Sequence, residues 1–405
     1  MTDVSGPLGP DRTSSVLSMS LDLLRDRGMG NAAPLLKLFA CFSTAPIPYV
    51  VLLNTNQYKA SALFTEDRGG SWSAAVEGLE QLGLVDIHSG RGVGAEELSH
   101  VLSMHPLIYA TLREDPELKR HHDDYYELAL SMLLTAVAGA NPDDPDSWPI
   151  WRVVTPHALE IVRTVLSRPD TGPRLLTPVL QLARKTGRYL IATGLLKPAA
   201  ELLNPIVDAC ESFGIGVDDE RILAIRHEVG RVALERGDLR VAETELWQVV
   251  EARAALHGMD HPETLASRHK HARAILEQHR WVEAEPLLRD VTDAEIRAWG
   301  PEHSDTMVVR HSLARVKLHL GWVAEAEAML REILVIRYRR WPRTTPETLF
   351  VVRSLAQSLV EQDKLDEAES VLREALADAG DRADAPEFQR LSLALERIVQ
   401  VRQGA

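Results

Sequence analysis

The chain has 405 residues, 45% hydrophobic, 26% charged and only 5% aromatic, which suggests two or three domains with room for a sizeable core. With 45 Lys and Arg against 59 Asp and Glu its formal charge is −14, which argues against a protein that coats nucleic acid or an anionic membrane along its whole length. Cys41 and Cys210 lie far apart in apolar stretches, so they form neither a disulfide framework nor a CxxC metal knuckle, and a reducing cytoplasm fits them best. No apolar run approaches the roughly 18 residues of a membrane span, and the N-terminus lacks a basic start followed by an apolar stretch.

In chain order, residues 1–32 read as a mobile leader, because 1–13 carry Gly, Pro, Ser, Thr and Asp with little apolar surface to offset ordering. Residues 33–112 form a different object. An apolar helix at 33–42 stops at Pro46-Ile47-Pro48, and a second helix follows from Pro48. A third helix at 72–82 is N-capped by Ser71 and ended by Gly83. Strands at 84–88 and 100–104 then flank a turn with Gly90, Gly92 and Gly94, which makes helices followed by a two-stranded wing. Residues 113–181 read as a helical adaptor, with helices at 116–138 and 156–167 separated by the Pro- and Asp-rich loop 141–149.

From 182 to 405 the sequence repeats. Ala242, Ala284, Ala326 and Ala368 recur every 42 residues, as do Leu246, Leu288, Leu330 and Leu372, and Thr264, Thr306 and Thr348. A weaker copy sets Ala200-Glu201 in phase with Ala242-Glu243. Each period reads as two amphipathic helices, with a stop at Gly258, Gly300 or Pro342. Small residues mark the helix crossings, at Gly230, Ala272, Ala314 and Ala356 in the first helix and at the Ala242 series in the second. One such hairpin leaves an apolar face bare, so neighbours must stack into a solenoid.

The twelve-residue spacing between these small residues, with the Glu-Ala-Glu segments at 283, 325 and 367, resembles tetratricopeptide repeats. The 42-residue period and the linkers His261-Pro262-Glu263-Thr264, His303-Ser304-Asp305-Thr306 and Thr345-Pro346-Glu347-Thr348 are similar to the kinesin-light-chain subclass, over about residues 182–398. In 33–112, the string Leu35-Leu36-x-Leu38-Phe39-Ala40, Ile47-Pro48, Leu79-x-x-Leu82-Gly83-Leu84-Val85 and His105-Pro106-Leu107 resembles the winged helix of STAND signalling ATPases of the NB-ARC group. The fold expected is mainly α: an α–α superhelix of tetratricopeptide repeats preceded by a winged-helix domain with a small β-hairpin.

Chemistry is sparse. The phosphate loop that the STAND resemblance would place upstream, GxxxxGK[ST], does not occur; Gly90, Gly92 and Gly94 have no Lys and suit a wing turn. The candidate recognition helix 72–82 has Glu77, Glu80 and Gln81 but no Lys or Arg, and only Arg68 and Arg91 lie near it, too few for phosphate neutralisation. In His121-His122-Asp123-Asp124 adjacent side chains diverge on a helix, which favours a solvated face over a metal site. His105 reads as a structural residue. No strained nucleophile turn singles out a Ser/His/Asp or Cys/His set, so no catalytic residue, metal or cofactor is expected.

The resemblance implies that positions five and nine of each first helix, counting the small residue as eight, line a concave surface. Position five is His227, His269, His311 and Arg353; position nine is Arg231, Arg273, Arg315 and Gln357. Seven of these eight side chains are cationic or can become so, in an acidic protein. Position thirteen supplies Glu235, Glu277 and Glu361 at i+4, which would blunt the field, but His319 replaces the glutamate in the third copy. The expectation is an anion-selective groove centred on Arg315 that holds an acidic peptide or a C-terminal carboxylate, more tightly as pH falls through about 6.5 if the histidines are charged. The reading is therefore a non-enzymatic cytoplasmic adaptor with an acidic protein or peptide partner. Alternatives are a DNA-binding regulator with a repeat sensor, and an accessory sensor subunit of a separate STAND-type ATPase. The sequence does not specify an oligomeric state.

Overall fold

The computed structural model describes residues 10–53, 56–57, 61–64, 72–89, 100–168, 171–380 and 385–404. Among them are nineteen α-helices and one two-stranded sheet. The chain divides into two compact units, Met1–Val232 and Ala233–Ala405.

The first unit opens with α1 (Pro10–Asp26), where a mobile leader was expected. Leu17, Leu21 and Leu24 make an amphipathic stripe at helical spacing, and Leu17 and Leu24 are buried in the unit's core. Next come α2 (Ala32–Ala40), α3 (Tyr49–Leu52) and α4 (Trp72–Gln81). Strands β1 (Asp86–Ser89) and β2 (His100–Ser103) pair antiparallel, with Ile87 opposite Leu102, and Ile47 bridges to Leu102 on its other side. Thus helices followed by a hairpin occupy the expected stretch, while Ser71, Arg68, Arg91 and the turn with Gly90, Gly92 and Gly94 lie outside the described residues. His105 caps α5 (Pro106–Arg113), its ring nitrogen accepting from Leu107 N at 3.1 Å. The helices α6 (Pro116–Arg120), α7 (His122–Ala136) and α8 (Trp148–Leu166) follow.

The earliest repeat-like hairpin is α9 (Pro173–Ala192) with α10 (Leu196–Ala209). A Cβ on Gly187 would lie 2.9 Å from Leu203 Cδ1, so this glycine marks the helix crossing as the small residues downstream do. The next first helix, α11 (Glu220–Arg236), runs through the boundary between the units.

The second unit contains α12 (Leu239–His257), the hairpins α13 (Pro262–Glu277) with α14 (Trp281–Trp299), α15 (Ser304–His319) with α16 (Val323–Arg340), and α17 (Pro346–Val360) with α18 (Leu365–Ala377), then α19 (Pro386–Gly404). The turn between first and second helices has a left-handed residue at Gly237, His279, Gly321 and Asp363, one repeat apart each time, with φ of 83°, 62°, 82° and 60°. Two of the four hold that conformation with a side chain, at a cost of about 1 kcal/mol each. His261 and His303 cap α13 and α15 by accepting from Glu263 N and Asp305 N, both at 3.3 Å, and this is the structural use of the linker motif. Ala242, Ala284, Ala326 and Ala368 are fully buried, as are the Leu246 series and the three linker threonines.

A further in-phase position lies between second helices and the linkers that follow them. Arg253 is fully buried; it donates to Glu263 O and Ser267 Oγ, both at 2.9 Å, and meets the Glu263 carboxylate at 3.1 Å. Arg337 donates to Thr348 Oγ1 at 2.9 Å and meets the Glu347 carboxylate at 3.3 Å. Midway stands Glu295, 2% exposed, with its Oε2 lacking a hydrogen-bond partner and with Asp305 in the place of Glu263 and Glu347.

Candidate functional site

In the second unit the consecutive first helices α13, α15 and α17 touch one another, and α17 touches α19, so these helices share one side. His269 and His311, at position five, are not the cations that the sequence count allowed. His269 Nε2 shares a hydrogen bond with Ser312 Oγ at 3.0 Å, and His311 Nε2 one with Ser354 Oγ at 2.9 Å, each reaching into the next repeat. Burial, then the neighbouring Lys270, Arg273 and His311, holds His269 well below the usual imidazole range. Burial, followed by Arg315 and Arg353, pushes His311 down to about 3. Both rings are neutral at physiological pH, so they cannot strengthen anion binding as pH falls through 6.5.

Position nine pairs across repeats instead of along its own helix. Arg273 Nη1 donates to Glu235 Oε1 at 2.9 Å, with its i+4 neighbour Glu277 at 3.9 Å. Arg315 Nη1 donates to Glu277 Oε1 at 3.0 Å. The rule is position nine to position thirteen of the preceding first helix. At the next step both ends change together: position thirteen is His319, whose ring stacks on Trp281 at 4.0 Å, and position nine is Gln357, which donates to Glu361 at 3.2 Å. Burial, then Arg315, lowers the pKa of His319 against the pull of Glu361. Arg315, the expected centre of the groove, thus already holds an acid, supplied by the preceding first helix and not by its own.

Arg353 differs from the rest. It is exposed and makes no hydrogen bond or ion pair among the described residues. Partial burial, then Arg390 of α19 and Arg315, lowers its guanidinium pKa against the pull of Glu277. Arg353, Arg390 and Arg315 therefore share a region whose glutamate, Glu277, is already paired with Arg315 and Arg273.

In the first unit His227 is buried, and Arg231 meets Glu228 at 2.8 Å and Asp143 at 3.2 Å. With Gly187 as position eight of α9, Arg184 and Arg188 are its positions five and nine. They fall outside the 42-residue register because the step to the next repeat there is one residue longer. Arg184 lies 3.8 Å from Glu228, and Arg188 donates to Asp143.

Elsewhere, His121 and His122 pair with Asp124 and Asp123 at 3.3 and 3.0 Å, and no group of three His, Cys, Asp or Glu is arranged for a metal among the described residues. Cys41 and Cys210 are buried free thiols. No helix of the described residues is long and apolar enough to cross a membrane.

No family model and no curated protein matches the chain. Solved structures do. A kinesin-light-chain-type protein from Podosopora anserina with nearly identical TPR-like repeats is 27% identical with a TM-score of 0.42, over 51% of this chain and 97% of that one. A Rap protein, solved in complex with Competence and Sporulation Factor, has a TM-score of 0.50 at 11% identity, over 73% of this chain and 79% of that one. A STAND protein with a tetratricopeptide repeat sensor from Pyrococcus horikoshii has a TM-score of 0.45 at 13% identity, over 90% of this chain and 53% of that one. Taken with the hairpin array described above, the likeness to the Rap protein shows that the chain has the tandem helical-repeat fold of the tetratricopeptide type.

Proposed function

We propose that the chain is a non-enzymatic adaptor of the cytoplasm, whose first-helix side in residues 233–405 takes an acidic peptide segment or a C-terminal carboxylate. The observation that carries this reading is Arg353: an exposed guanidinium with no ion-pair partner among the described residues, under the charge of Arg390 and Arg315, in a chain of net charge −14. Arg273 and Arg315 have carboxylates of their own, so an incoming anion meets the least competition at Arg353. A guanidinium grips a carboxylate through two parallel hydrogen bonds, and an extended peptide can follow the successive first helices.

The test is fluorescence anisotropy with a labelled Asp/Glu-rich peptide and the full chain. Arg353→Glu lowers affinity by about tenfold or more, and added salt weakens the wild-type complex. Binding unchanged in Arg353→Glu removes this site.

A further inference from the structure

Within the second unit, two of three junctions between hairpins build the same slot. An arginine near the end of a second helix crosses to the first turn of the next helix, and its Nη2 meets a carboxylate there that reaches solvent: Arg253 meets Glu263 at 3.1 Å and Arg337 meets Glu347 at 3.3 Å. The arginines themselves are buried, and Arg337 Nε donates to the fully buried Thr348 at 2.9 Å. The slot thus has a threonine at its floor and an acid at its outer end. The junction between α14 and α15 keeps these walls, as Thr306 and Asp305, but has Glu295 where the arginine stands. The oxygens of a glutamate reach only as far as the Nε of an arginine, so the Cζ and Nη atoms of the other two copies have no counterpart.

We infer that this third slot takes the guanidinium of a partner's arginine, which enters at Asp305 and sets its nitrogens between the carboxylates of Asp305 and Glu295. Two buried groups on its floor are unmatched: Glu295 makes no hydrogen bond or ion pair among the described residues, and Oγ1 of the fully buried Thr306 has no partner either. At the outer end the exposed Asp305 carboxylate meets the His303 ring at 3.9 Å and the Ser304 hydroxyl at 3.5 Å, but no Lys or Arg. Lys270 of α13 attracts Glu295 without forming an ion pair with it. A buried carboxylate left without a cation is costly, and Arg253 and Arg337 show that the walls of such a slot accept a guanidinium whole. Its planar fork can face two acids and donate to the threonine at once, which the point charge of a lysine cannot. The slot draws a basic group, so it is independent of the anion site at Arg353.

The test is hydrogen exchange of the α14 and α15 amides in the full chain at pH 8, where Glu295, with a pKa of about 7, is ionised. The probe is the capped peptide Gly-Arg-Gly, compared with Gly-Lys-Gly and sodium chloride at equal ionic strength. At ten times its Kd, Gly-Arg-Gly raises protection by about tenfold, while the other two raise it by less than about twofold. Glu295→Gln and Asp305→Asn lose the response. Glu295→Arg supplies the in-phase side chain from within, so it is protected without peptide and gains nothing from it. Circular dichroism of each variant checks that the helices remain. A wild-type chain that does not respond, an equal response to Gly-Lys-Gly or sodium, or a response that survives in Glu295→Gln or Glu295→Arg overturns the slot.

Discussion

Glu295→Gln tests whether the one carboxylate in the Arg253–Glu295–Arg337 series stores repulsion in the array. Glu295 is 2% exposed, one of its oxygens lacks a hydrogen-bond partner, and burial followed by the charge of Asp305 pushes its pKa up to about 7, against the pull of Lys270. Since the folded value lies above the ordinary 4.5, the unfolded chain ionises first. Stability from this group is therefore full below about pH 4.5, declines as pH rises towards 7 and stays low beyond it. A rise from 4.5 to about 7 corresponds to about 3 kcal/mol, and relaxation of the site around the buried charge reduces it to about 2 kcal/mol. Gln has the same shape without the charge. Urea unfolding of the full chain at pH 8 gives Glu295→Gln a gain of about 2 kcal/mol, while at pH 4.5 the two proteins agree within about 0.5 kcal/mol. Because a repeat array can unfold in segments, hydrogen exchange of the α14 and α15 amides provides the local reading, with protection rising in the variant at pH 8 only. An equal change at both pH values, or a loss at pH 8, refutes the argument.

Two other perturbations follow from the same interfaces. The folded pKa of His311 is about 3, against an ordinary 6.5, so acidification protonates the unfolded chain first and stability is lost as pH falls below 6.5. His311→Gln, compared with wild type by urea midpoints at pH 7 and 4.5, shows a pH dependence flatter by about 2 kcal/mol. Arg253→Ala removes a fully buried guanidinium, but Glu263 is 37% exposed and can turn to water, so the loss falls at about 3 kcal/mol, the low end for a broken buried pair, and reads out as a lower urea midpoint.

The 42-residue columns were legible because each marks a local requirement met again in every copy: a small residue at a crossing, a leucine on the buried stripe, a capping residue before a helix. The column of Ala242 is fully buried for that reason. The pairing of charges was not legible, because i+4 spacing speaks only of partners along one helix whereas Arg315 reaches Glu277, 38 positions away across a repeat boundary. Burial of His269 and His311 was equally hidden: the same residue at the same helical position is a solvated cation or a neutral donor depending on whether a serine of the next hairpin stands against it. The stripe of Leu17, Leu21 and Leu24 was present but obscured by the polar run before it. Arg188 escaped because the step from α9 to α11 is one residue longer than the others. Reversing Arg273 and Arg315, the obvious first experiment from sequence, would set carboxylates against Glu235 and Glu277; Arg353 is the cleaner site to change.

The cross-repeat rungs also decide where such an array can be cut and rejoined. Arg273 and Glu235, and Arg315 and Glu277, each divide one ion pair between consecutive hairpins, whereas His319 and Gln357, the same two positions at the next junction, form none. A splice at either of the first two junctions orphans a guanidinium on one fragment and a carboxylate on the other. At the third the first helices meet without such a pair, but a cut there still parts Arg331 from Glu367, Glu327 from Lys364 and Arg337 from Glu347, so a shorter or longer version of this protein must carry its acids and bases over in matched sets at every seam.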